Sequence, residues 1–143
     1  MSKFNDKMQL AFYKGKGTLF DFLIRKVTFS KYSHVELVID GVCYSSVYNK
    51  GVRGTRLILD KDNWDVFDIT SNKQIKAKAL AWFVEHDGDA YDYRNILRYL
   101  IPFLGHNKNH WVCYEAVGAA LGINRPQLLT AEELLEEALL LGN

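Results

Sequence analysis

The sequence predicts an α+β protein, a hairpin-rich antiparallel sheet clasped by helices, and three observations predict it. Ser33 to Ile39 alternates polar and apolar residues and ends in Asp40-Gly41, with a second strand-like run, Val42 to Tyr48, directly behind it. Cys113, Ala116, Val117, Ala120 and Leu121 recur at helical spacing, and Gly122 supplies a stop. Runs of both kinds are interleaved along the chain with short breaks, which fits one sheet with helices packed against it.

Taken in order, Met8 to Tyr13 reads as the first strand, broken by Gly15, Lys16 and Gly17. Thr18 with Asp21 resembles a capping box, and Leu19, Phe22, Leu23 and Val27 form a helical stripe. The hairpin from 33 to 48 follows, then strands expected at Arg53 to Leu59 and Trp64 to Ile69. Ile75, Ala79, Trp82 and Phe83 mark a second helix, ended by the turn Asp87-Gly88-Asp89-Ala90-Tyr91-Asp92. A helix is expected from Tyr93 to about Leu100, closed by Pro102 and Gly105, before the Cys113 helix. Thr130 with Glu133 opens an acidic amphipathic helix, 130–141.

At 143 residues, the chain fits a single domain, with no repeat or linker. Apolar residues make up 48% and charged residues 24%, an ordinary globular balance. A net charge of +1 lacks the basic footprint of a nucleic-acid binder. Lysines and arginines gather near the start and Glu132, Glu133, Glu136 and Glu137 near the end, which reads as two solvated faces. Two cysteines about seventy residues apart are no disulfide framework. The start of the chain has no apolar h-region, so no signal peptide is expected, and no run reaches the roughly 18 apolar residues of a spanning helix.

Cys113 and His34 are the residues on which chemistry is expected. A thiol in the first turn of a helix feels unpaired N–H groups and the positive end of the dipole, so its thiolate is favoured. On the strand that follows His34, residues 34, 36 and 38 share one face. With Asp40-Gly41 as a two-residue turn, Ile39 pairs with Val42, and Cys43, Ser45 and Val47 join the His34 face. A histidine base needs a third group to orient its ring. Glu36 is the stronger electrostatic partner and Ser45 could only orient; a longer turn would bring Ser46 instead.

Other residues carry weaker signals. Cys43 is the rival nucleophile, but a mid-strand thiol lacks the field of a helix end. His106, His110 and Cys113 make a poor zinc set without a fourth ligand, so no metal and no cofactor is expected. Lys14-Gly15-Lys16-Gly17 lacks the phosphate-loop spacing and reads as a solvated turn. Trp64, Trp82 and Trp111 read as core, with Trp111 alternatively lining a cleft beside Cys113, and His86 as a helix-end residue.

Ser33-His34-Val35-Glu36-Leu37, Gly88-Asp89-Ala90-Tyr91-Asp92 and Trp111-Val112-Cys113-Tyr114-Glu115-Ala116, in that order, resemble the circularly permuted papain-like NlpC/P60 superfamily. The chain is most similar to its YiiX-like branch, including small phage-encoded members, over roughly residues 8 to 122. The resemblance implies a permuted papain-like fold, with Cys113 as nucleophile and His34 as base. Glu36, Ser45 and Ser46 stay open for the third position. It also implies that Tyr91 lines the cleft, with Trp111 and Ser45 as further substrate contacts. Tyr114 stands where the family usually has serine, and Ser45 and Ser46 where relatives often put histidine or glutamate.

The activity implied is a thiol peptidase or amidase cleaving an amide or other acyl bond, such as one in a cell-wall peptide. The partner is then a peptide or acyl substrate, and the setting the host cytoplasm or a phage virion. Two other readings stand beside it. One is a non-catalytic phage structural or accessory protein with a degenerate site; the other is a cytoplasmic acyltransferase or deconjugating thiol enzyme.

Overall fold

A computed structural model describes residues 8–15, 31–47, 50–69, 72–91, 110–111, 113–123 and 131–141, the side chains of 90, 91, 110, 111 and 114 excepted. The helices expected around Leu19 to Val27 and from Tyr93 to about Leu100, and the cap at Thr130, lie outside these residues.

The described residues form an α+β fold around a five-stranded antiparallel sheet. Its strands are β1 (Met8–Tyr13), β2 (His34–Ile39), β3 (Val42–Val47), β4 (Gly51–Thr55) and β5 (Trp64–Ile69), in the order β4-β3-β2-β1-β5. Three helices are described: α1 (Lys73–His86), α2 (Cys113–Ala120) and α3 (Ala131–Leu140).

The β2–β3 turn sets the register of the centre of the sheet. Asp40 (φ 51°) and Gly41 (φ 81°) both lie in the left-handed region, as a two-residue type I′ hairpin demands. Ile39 therefore pairs with Val42 and Leu37 with Tyr44, the register read from the sequence. Period-two alternation then sorts the side chains. Met8, Leu10, Phe12, Val35, Leu37, Ile39 and Val52 enter one large apolar cluster, joined by Ala79 and Phe83 of α1, Ala116 and Val117 of α2, and Leu134 of α3. On the opposite face, Ala11, Val38 and Cys43 make a small cluster under Leu59 and Trp64.

β4 is shifted from the expected 53–59. It starts at Gly51, whose φ of 74° admits the turn from β3, and stops at Thr55. Thr55 pairs with Cys43, one residue from the β3 start, so the chain beyond it has no strand left to bond. The outer edge of β4 is stapled instead to the turn after α1: Val52 N–H donates to the Asp89 carbonyl and Gly88 N–H to the Val52 carbonyl, each at 2.8 Å. That leaves less unpaired backbone on an edge strand.

The helix ends follow their sequence signals. Asn72 caps α1 by accepting the Ile75 N–H at 2.9 Å. α2 closes in a Schellman motif around Gly122 (φ 77°), with Ile123 N–H bonded to the Gly118 carbonyl and Gly122 N–H to that of Ala119. The stretch read as turn after α1 also contains a short strand, β6 (Ala90–Tyr91), parallel to β7 (His110–Trp111). A two-residue ladder leaves no periodicity to read. Among the described residues no helix is long and apolar enough to cross a membrane.

Candidate functional site

His34 is the first residue of β2 and Cys113 the first of α2, and the two meet at these element starts. The entry into β2 is fixed from behind. Tyr32 packs on Phe12 (ring centroids 4.9 Å apart) and donates its hydroxyl to Asp65 at 2.6 Å, while Ser33 N–H bonds the Tyr13 carbonyl at 3.0 Å. Lys14 pairs with the same Asp65 at 2.8 Å and Gly15 is buried, so this pair belongs to the β1–β5 joint rather than to the solvated turn read from the sequence. Lys16 and Gly17 lie outside the described residues.

The His34 imidazole has partners on both sides. Its Nε2 meets Glu36 Oε2, two residues along the same strand face. Cys113 lies close enough to the ring to favour its protonated form, through charge and a side-chain hydrogen bond. Trp64 stands edge-on to the ring, with centroids 6.4 Å apart.

Glu36 is fully buried and is held from across the sheet. Leu37 pairs with Tyr44 and Ser45 with Arg53, which brings Ser45 and Arg53 to the Glu36 end of the sheet. The small Ser45 side chain turns to donate to the Val35 carbonyl at 2.6 Å, and Arg53 reaches past it. The guanidinium grips the carboxylate in a fork, Nη1 to Oε1 at 2.5 Å and Nη2 to Oε2 at 2.9 Å. Nη1 also donates to the Cys43 carbonyl at 3.2 Å.

This arrangement sets the charges. Burial alone disfavours a charged His34 ring, but the Glu36 carboxylate and Cys113 outweigh it and push the imidazole up to about 10 from 6.5. Burial likewise pushes Glu36 up, and His34 with Arg53 outweighs it, so the carboxyl ends below its ordinary 4.5. Near neutral pH the site therefore holds an imidazolium between the Glu36 carboxylate and the Cys113 side chain. Cys43 differs: burial first, then the nearby Glu36 charge, raises its thiol above the usual 9.0.

Of the three residues open for the third position, Glu36 reaches the ring. Ser46 lies on the other face, opposite Val52. Ser45 is fully buried and donates its hydroxyl to the Val35 carbonyl. The backbones of Tyr91 and Trp111 pair in register between β6 and β7; their side chains are outside what is described. Ser33, beside His34, is 1% exposed and its hydroxyl has no hydrogen-bond partner among the described residues. His86 does sit at the end of α1, stacked on Trp82 (centroids 4.1 Å apart) and bonded through Nδ1 to Asp89 at 2.7 Å.

Arg53 was missed by sequence reasoning, which took it only as a strand residue. The available signal was a carboxylate at position 36 needing a cation, with two arginines, Arg53 and Arg56, in the strand expected at 53–59. No known protein-family model matches the chain, and no curated protein matches it.

Proposed function

We propose that this chain is a cysteine hydrolase of the circularly permuted papain-like, NlpC/P60 type, cleaving an amide or other acyl bond. The observation that carries the reading is the hydrogen-bonded chain Cys113–His34–Glu36, with the thiol at a helix start and the ring held from behind by a carboxylate. In this mechanism Cys113 Sγ attacks the acyl carbonyl while His34 carries the proton. Backbone N–H groups in the first turn of α2 receive the oxyanion. His34 then delivers its proton to the leaving amine as the C–N bond breaks, giving a thioester. Water, deprotonated by His34, clears the thioester and restores the thiol. The family resemblance points to a peptide substrate, with a cell-wall peptide first in line, and to a phage-encoded enzyme of the virion or host cytoplasm.

The test is hydrolysis of peptidoglycan stem peptides and simple acyl esters, followed by mass spectrometry, with C113S as control. The expected result is cleavage by the native chain, none by C113S, and an acyl adduct on Cys113 alone.

One observation favours a second reading. Cys113 is only 2% exposed, and a thiol enclosed to that degree fits a non-catalytic relative that keeps the pair as internal structure. Failure of all acyl donors, together with an inert Cys113, would select this alternative.

A further inference from the structure

The geometry points to Arg53 as a positioning residue for the candidate site: its fork on Glu36 fixes which carboxylate oxygen faces His34 and holds that carboxylate ionised. This rests on the thiol-hydrolase reading for its catalytic consequence, but the coupling itself is a property of the four side chains.

The case starts from the two oxygens of Glu36. Arg53 Nη1 takes Oε1, so the carboxylate cannot rotate that oxygen toward the ring without giving up a charge-assisted bond of 2.5 Å. Oε2 is left to serve both Arg53 Nη2, at 2.9 Å, and His34 Nε2. The guanidinium is itself fixed by the Cys43 carbonyl at 3.2 Å and by the 45–53 pairing of β3 with β4. The titratable and charged groups facing Glu36 are His34 on its own strand, Cys43 on β3 and Arg53 on β4, with Cys113 of α2 behind the ring. Arg53 is the permanent cation among them; His34 is cationic only while it holds its proton. Charge then alternates along the line, from guanidinium to carboxylate to imidazolium.

A fork and a point charge can be separated by substitution. Lysine keeps the charge but offers no planar pair of donors, and methionine removes both. The measurement is the pH midpoint of the Glu36 carboxyl carbon signal by NMR, alongside the rate of Cys113 alkylation by iodoacetamide as pH is lowered. R53M is expected to raise the Glu36 midpoint by about one to three pH units, the usual effect of losing an adjacent opposite charge. The acid limb of the alkylation profile moves up with it. R53K is expected to hold the midpoint near that of the native chain and slow alkylation at every pH, because the carboxylate loses its fixed aim. If R53M does not fold, R53Q, neutral but still a donor, gives the same comparison.

A Glu36 midpoint unchanged in the neutral variant overturns the proposal, since a merely structural arginine would lower stability without moving it. If the midpoint rises while native Cys113 never alkylates, the thiol chemistry fails and the Arg53–Glu36 coupling stands.

Discussion

Glu36→Gln tests the charge arrangement most sharply, because the amide is nearly isosteric and only the electrostatics change. The native carboxylate accepts from three donors, Arg53 Nη1 and Nη2 and His34 Nε2. Glutamine offers one acceptor and one donor in the same space. With its oxygen toward Arg53 Nη1, its N–H2 faces Arg53 Nη2 and His34, so one guanidinium N–H is left opposed and the ring must become neutral. With the amide flipped, the N–H2 opposes Nη1 instead. Either way a largely buried cation loses its counter-charge, a change that costs about 3–5 kcal/mol in buried pairs. Arg53 keeps 18% of its side chain exposed, which places the expectation near the lower end. For this chain length, a loss of about 3 kcal/mol corresponds to a fall in Tm of roughly 10 °C.

The pH dependence has a definite sign. The stabilisation held by Glu36 is present above its ordinary 4.5 and is lost as pH falls through its lower folded value. That held by His34 is complete below 6.5 and is lost as pH rises toward about 10. Urea unfolding of both proteins across pH should therefore show the largest gap between about 4.5 and 6.5, narrowing on either side. A gap below about 1 kcal/mol throughout that window, the scale of an exposed ion pair, would refute the reasoning.

Three further outcomes are expected. Ser45→Ala should lose about 1–3 kcal/mol, because the Val35 carbonyl loses its donor, whereas Ser33→Ala should lose nothing, since that hydroxyl has no partner among the described residues; chemical denaturation compares them directly. Gly54→Ala should destabilise by about 1–3 kcal/mol by crowding rather than by backbone strain. An added Cβ there would lie 2.6 Å from the Tyr44 ring, which is itself packed on Phe83, so thermal melting should show the loss and a Tyr44→Leu background should relieve it. Cys43→Ser should leave the site thiol's reaction with iodoacetamide intact; a variant that stops reacting would mean that Cys43, not Cys113, is the reactive group.

Local signals were legible in the sequence where one element carried its own rule. Asp40-Gly41 specified the hairpin turn and hence the face shared by His34 and Glu36, and Gly122 specified the end of α2. The stripe Ala116, Val117, Ala120 and Leu121 named the core face of α2 before any packing was known. What depended on partners several strands away was not legible. The limits of β4 follow from where β3 runs out, and Arg53 meets Glu36 only through two successive registers. Ser45 looked like a site residue because it shares the right face, but a small residue between Glu36 and Arg53 serves by being small. The β6–β7 pair joins residues some twenty positions apart with two residues each, too few for a period to show.

The central claim is that Cys113 and His34 act together as nucleophile and base, and the rate of Cys113 alkylation as a function of pH, with and without His34, tests it most directly. A pair held by Glu36 should alkylate readily at Cys113 in folded protein, and His34→Ala should slow that reaction and change its pH profile. Peptide mapping should find the label on Cys113 and not on Cys43. A Cys113 that stays inert until the protein unfolds, or whose pH profile is the same with and without His34, would contradict the account.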